Sequence, residues 1–156
     1  MTQRKKGNHM TLVQDKPTVA TNSATIKQWL VATAKGDLDH APYAEDAEIS
    51  DPTGKYKGKQ QILASLKVWK TAFPQINVEV TNQVAEGDQV VSEVTFRGTH
   101  TGPLATPMGP IAATNKPIDL KIAIVSSFRN GLIQREHTYF DQAGLMRQLG
   151  LAPTKP

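Results

Sequence analysis

Apolar positions recur at helical spacing near the start of the chain and alternate with polar ones in its second half. Over residues 24–35, Ile26, Trp29, Leu30, Thr33 and Ala34 fall on one helical face. Asn22 or Ser23 can cap its start, and Gly36 stands where a glycine commonly ends a helix. "DLDHAPYAEDA", residues 37–47, reads as a short second helix, and "AEIS", residues 47–50, as a brief strand. Asp51-Pro52-Thr53-Gly54 then predicts a turn, because proline fixes φ and glycine tolerates positive φ. "KQQILASLKVWKTAF", residues 59–73, is helical again, with Ile62, Leu66, Trp69 and Phe73 as its stripe and Pro74 as its stop.

Beyond Pro74 the period changes to two. Ile76, Val78 and Val80 alternate first; then Val90, Ser92, Val94, Phe96, Gly98 and His100 share one face, with Glu93, Thr95 and Arg97 on the outer one. The Gly/Pro-rich loop 101–117 is long for a compact domain and is a candidate lid, with Leu104 and Met108 as its apolar ligand contacts. "IDLKIAIVSSF" and "LIQREHTYF" are strands joined by an Asn-Gly hairpin turn, and Leu145, Met146 and Leu149 make a closing helical turn that Gly150 ends. Helices first and strands afterwards predict an α+β fold: three N-terminal helices packed on a curved, mostly antiparallel sheet. Such a sheet forms a cone whose mouth can hold a small apolar molecule.

Composition narrows the chemistry. The chain of 156 residues fits one domain and has no cysteine, so disulfides, thiolate metal sites and cysteine nucleophiles are excluded. The net charge of +4 resides mostly in Arg4, Lys5, Lys6 and Lys16, which marks a solvated arm more than a nucleic-acid footprint. Residues 1–20 read as a disordered leader, 21–151 as the domain and 152–156 as a tail. No apolar run is long enough for a membrane span and no signal peptide is visible, so a cytoplasmic location is expected. His40, His100 and His137 show no zinc spacing, and neither a phosphate-binding glycine loop nor a nucleophile elbow occurs; neither metal nor cofactor is implied.

The chemistry-bearing residues gather where the last strand ends. Read at period two, His137, Tyr139 and Asp141 point the same way. If that way is the cone, they supply a hydrogen-bond donor, an oxyanion donor and a base; with the opposite parity they decorate the outside. Asp141 also precedes a helical turn, where Asp is a favoured cap. His100 follows Val94 and Phe96 inward, either as a donor to a carbonyl or as a satisfied rim histidine. Asp51 is first a turn residue and second a candidate pocket acid. Trp29, Trp69, Phe73 and Phe96 are core residues or pocket wall.

"FRGTHTGPL", "AATNK" and "SFRNGLIQREHTYFDQAGLMRQLGL" resemble, in order and spacing, the SnoaL-like polyketide cyclases, or ester cyclases, of the nuclear transport factor two-like superfamily. The resemblance runs from about Ile26 to Leu151 and implies a cone-shaped α+β barrel. It also implies a cofactor-independent aldol-type ring closure, or a related proton abstraction, on a small apolar carbonyl compound. Asp141 falls in the place of the family's catalytic acid/base. Asn115 stands where the family has glycine, and Thr138 where it often has tryptophan. "DAEISDPTGKYKGKQQI" is similar to the Asp-Pro-x-Gly segment of ketosteroid isomerases, which would make Asp51 the base, but no tyrosine lies in helix one for that family's oxyanion donor. A non-catalytic binding protein of the same fold is the alternative, and an exposed convex sheet face favours a homodimer.

Overall fold

The computed structural model describes residues 18–106 and 108–151. The expected leader before residue 18 and the expected tail from 152 lie outside them. The first helix, α1 (Val19–Lys35), starts five residues before the expected residue 24. Thr18 is its cap, its hydroxyl accepting from the Thr21 N–H at 3.2 Å, so residues 18–20 belong to the domain and not to a leader. Gly36 ends the helix at φ 83°, and the Asp37 N–H turns back to the Ala32 carbonyl at 3.0 Å.

The expected second helix is absent. Residues 37–42 form turns and irregular chain, and Tyr43 opens a strand, β1 (Tyr43–Asp51). Pro42 has no N–H to give a helix, and Ala41, Tyr43, Ala44 and Ala47 are all buried as the strand enters the sheet. Tertiary burial overrides the helix-favouring Ala and Glu content here. After a turn, β2 (Gly54–Lys57) pairs back on β1, and α2 (Lys59–Ala72) follows. The meander β3 (Ile76–Glu86), β4 (Gln89–Thr99), β5 (Pro117–Arg129) and β6 (Leu132–Phe140) comes next, and α3 (Gln142–Leu149) closes the chain. Two helices therefore precede the meander and the third follows it, which corrects the expectation of three N-terminal helices.

The six strands run in the order β2-β1-β6-β5-β4-β3, all antiparallel neighbours except the parallel pair β1–β6. Asn130 and Gly131 both take positive φ, 54° and 78°, in the β5–β6 hairpin, as the Asn-Gly signal required. Asn115 likewise holds φ 56° in the place of the family's glycine. Helix α1 lies against β3 and β4, α2 against β1 and β2, and α3 against β5.

Two apolar clusters form the interior. One gathers Ile26, Trp29, Tyr43, Ile62, Phe128 and Ile133; the other gathers Phe73, Leu104, Ile118, Leu120, Leu145 and Leu149. Trp69 bridges toward the sheet, stacked on Phe73 at 5.9 Å and edge-on to Phe96 and Phe140 at 6.2 and 5.8 Å.

One irregularity decides which side chains see the interior. Phe128 pairs with Ile133 and Ser127 with Arg135, so Gln134 has no partner of its own on β5. This extra residue is a bulge, and it reverses the in–out alternation along β6. Ile133 is buried before it; Glu136, Thr138 and Phe140 face inward after it.

Candidate functional site

Between the helices and the concave face of the sheet lies an inner cavity of about 150 Å³. An apolar cavity of that order holds one benzene-sized molecule. Its wall is mostly apolar: Ile26, Trp29 and Leu30 from α1, Leu66 and Trp69 from α2, and Val94, Phe96, Leu120, Ile122 and Phe140 from the sheet. The polar side chains that reach it are Thr33, Tyr43, Asp51, Ser65, Lys70, Glu136 and Thr138. The Lys70 ammonium is committed elsewhere, donating to the carbonyls of Ala34 and Pro74 at 2.7 Å each.

Glu136 is the buried acid of this cavity. It is 8% exposed, and each carboxylate oxygen has a partner. Oε1 accepts from the Tyr43 hydroxyl at 3.2 Å and Oε2 from the Ser126 hydroxyl at 3.1 Å. The Tyr43 oxygen in turn accepts from Trp29 Nε1 at 3.3 Å, and the two rings meet edge to face. The pleat explains the assembly: Ser126 and Glu136 are direct cross-strand partners, and Tyr43 stands on β1 beside Ile133. Burial pushes the Glu136 carboxyl up to about 7, against the two hydrogen bonds that pull it down. Burial, and then the neighbouring Glu136 charge, holds the Tyr43 phenol well above its usual range, so Tyr43 remains a donor. A carboxyl poised near neutrality exists in both protonation states, which is what a group that takes and returns a proton needs.

The three aligned residues at the end of β6 point the other way. His137 is exposed, and its Nδ1 lies 2.6 Å from the Ser50 hydroxyl on the outer face of β1. Tyr139 is 59% exposed. Asp141 is the cap of α3: Oδ1 accepts from the Gly144 N–H at 2.7 Å and Oδ2 from Arg147 at 3.0 Å, both in solvent. The expectation that this trio lines the cone is corrected. Without the bulge at Gln134, the parity of buried Ile133 would carry His137, Tyr139 and Asp141 inward; with it, Glu136 takes their place.

His100 is fully buried but stands outside the inner cavity, its ring 5.2 Å from that of Phe73. Its Nδ1 accepts from the Thr114 N–H at 3.2 Å, which places the ring proton on Nε2, and burial holds its pKa below the usual value. The Thr114 hydroxyl lies 3.1 Å from the same nitrogen. His100 therefore pins the loop after β4 through Nδ1, while its buried Nε2 has no hydrogen-bond partner among the described residues.

Asp51 does reach the cavity wall, at the end of β1, while its Oδ1 accepts from the N–H groups of Thr53 and Gly54 at 2.6 and 3.0 Å. It is turn residue and rim carboxylate at once. Trp29, Trp69 and Phe96 line the wall, and Phe73 backs Trp69 from behind. Leu104 and Met108 line a second, outer groove of about 910 Å³, bounded by α2, the start of α3 and the chain around the Leu104–Ile111 bridge. Among the described residues, no group of three or more His, Asp or Glu side chains is placed to hold a metal ion. No described helix is long and apolar enough to cross a membrane.

Sequence reasoning missed Glu136, Tyr43 and Ser126. The available signal was Phe140: a purely apolar ring at the end of β6 marks the interior face, and Glu136 and Thr138 share its parity.

The profile of the SnoaL-like polyketide cyclases matches residues 24–149. The chain belongs to that family. No curated protein matches the sequence. Among solved structures, this SnoaL-like chain is similar to a candidate SnoaL-like polyketide cyclase from Jannaschia sp. CCS1, with 18% identity over 90% of this chain and 99% of that one, at a TM-score of 0.75. It is also similar to IdmH, a candidate polyketide cyclase from Streptomyces antibioticus, with 27% identity over 83% and 98% at a TM-score of 0.68. The third, TsrD from Streptomyces laurentii, has 24% identity over 86% and 98%, at a TM-score of 0.73. The SnoaL-like fold thus extends over nearly the whole described domain.

Proposed function

We propose that this SnoaL-like protein is a cofactor-independent cyclase or isomerase-type enzyme. In this reading Glu136 is the acid/base, and an aspartate no longer holds that place. The observation that carries it is the buried Glu136 carboxyl, raised to about 7, in the wall of an apolar cavity. Family membership and the likeness to IdmH support a ring-closing reaction on a small apolar, polyketide-like carbonyl compound.

The chemistry balances without a redox partner. The Glu136 carboxylate takes a proton from the carbon α to a carbonyl, leaving an enolate. The enolate carbon attacks a second carbonyl of the same molecule; a carbon–carbon bond forms and that carbonyl becomes an alkoxide. Protonated Glu136 returns its proton to the alkoxide, so the product is an isomer of the substrate. Tyr43 and Ser126 hold the carboxylate in one rotamer. The Thr138 hydroxyl is the wall group that can donate to a carbonyl, since the Thr33 and Ser65 hydroxyls are given to the carbonyls of Trp29 and Ile62. Closing an apolar wall around the enolate keeps water from competing for it.

The test uses cyclohexanone, whose ring matches the cavity. Exchange of its α-hydrogens in heavy water, followed by NMR, reads proton abstraction directly. The wild-type protein should accelerate exchange, and Glu136→Gln should lose about 10²-fold or more of that acceleration. Asp141→Asn should keep it. Loss in Asp141→Asn with retention in Glu136→Gln would reject the assignment.

A further inference from the structure

The inner cavity and the outer groove share a wall. Ser65 and Trp69 of α2 line both. The chain also steps from one chamber to the other twice: Asp51 faces the inner cavity and Pro52 and Thr53 the groove, and Phe140 faces inward while Gln142 faces the groove. The two chambers therefore adjoin where β1 and β6 end.

Their sizes differ in a way that constrains the substrate. The inner cavity, at about 150 Å³, has room for one ring and nothing more, whereas the groove offers about 910 Å³. The groove floor is apolar, with Val68, Leu104, Ile111, Leu145 and Met146. At its edge, Met108 is 99% exposed, a large apolar side chain with nothing packed on it. An apolar trough that adjoins a reaction chamber across a two-residue wall suits the unreacted remainder of a long substrate.

We infer that the two chambers form one bipartite site. Its substrate class is a carbonyl compound with a ring-sized reacting end in the inner cavity and an extended apolar remainder in the groove beside Trp69. The assignment of the reacting end rests on the proposed function above; the groove's part stands on binding alone. A molecule no larger than one ring leaves the groove empty and binds weakly.

Two probes separate the chambers: cyclohexanone, and cyclohexanone bearing a linear pentyl chain opposite the carbonyl. Binding is read by quenching of tryptophan fluorescence, without any turnover, since Trp29 and Trp69 both face the inner cavity. A fully buried methylene is worth roughly fourfold in affinity, so the chain-bearing ketone should bind at least roughly tenfold tighter. Ala64 lies exposed on α2 in the groove wall, so Ala64→Phe fills the groove without touching the core. That variant should bring the two affinities to within roughly twofold and leave cyclohexanone binding unchanged, because the methylenes lose their burial. In the wild type, NOEs should connect the pentyl chain to the methyl groups of Val68, Leu145 or Met146. Equal affinities in the wild type, a preference that survives Ala64→Phe, or NOEs from the chain to Ile122 or Ile124 instead would overturn the bipartite site. Tight binding of the chain-bearing ketone with no exchange activity would leave the groove standing and remove Glu136 from the chemistry.

Discussion

Replacing Glu136 by glutamine should change how stability depends on pH. In the folded chain the carboxyl titrates at about 7, against an ordinary value of 4.5. A carboxyl raised on folding binds its proton more tightly in the native state. Its contribution is therefore fully present below the ordinary value and is lost as pH climbs through the native one. Integrated over that window, the wild-type protein should lose roughly 3 kcal/mol of stability from this group alone between about pH 4 and about pH 8. Glutamine has nearly the same shape and no charge to bury, so it should not share that loss. Exposed carboxylates such as Asp46, Glu48 and Asp119, which their partners hold low, impose the opposite slope on both proteins and cancel in the difference. Urea unfolding of the two proteins across this range supplies the difference at each pH. Near pH 4 they should agree to about 1 kcal/mol, and near pH 8 Glu136→Gln should be the more stable by roughly 3 kcal/mol. A difference that stays flat, or one that grows toward low pH, would show that the native carboxyl is not held in a dry, charge-disfavouring site.

Tyr43→Phe removes a hydrogen bond that lowers the Glu136 pKa and leaves the buried Trp29 Nε1–H without its acceptor. It should cost about 1–3 kcal/mol in urea melts and move the midpoint of the exchange-rate pH profile upward. Asp141→Ala should cost about 1 kcal/mol for the lost cap while ketone exchange per folded molecule stays unchanged; a fall in exchange would return Asp141 to the chemistry. Gly102→Ala places a methyl on the Thr71 carbonyl oxygen, where both Thr101 and Gly102 donate to Ala72, and should destabilise by about 1–3 kcal/mol in thermal melts.

How much of this was legible depended on whether a local pattern survived its neighbours. The α1 and α2 stripes and the inward face of β4, with Val90, Ser92, Val94 and Phe96, follow directly from periodicity. The Asn-Gly hairpin and the positive φ of Asn115 follow from turn chemistry. Residues 43–47 did not, because Ala and acidic residues favour a helix only until Ala44 and Ala47 are buried against other elements. The site failed for a subtler reason. Period two within the motif carries no sign of the bulge at Gln134, which is set by pairing with β5, outside any local window. Glu136 and His137 are neighbours in the quoted motif, but only the parity of β6 says which of them is inside, and it is Glu136.

The parallel pairing of β1 with β6 has a consequence for how the protein comes into being. Tyr43 and Glu136 touch across 93 positions of sequence. β3, β4, β5 and β6 can zip up through short hairpins and one loop, but β1 must wait for β6, since its sheet neighbours are β2 and β6 alone. Closing so long a loop pays its entropy before any contact rewards it. The inner cavity, walled in part by β6, therefore stays open until β6 has paired. On the ribosome, Tyr43 and Glu136 meet only after nearly the whole domain has emerged, so a chain stalled before β6 lacks this buried hydrogen-bonded pair.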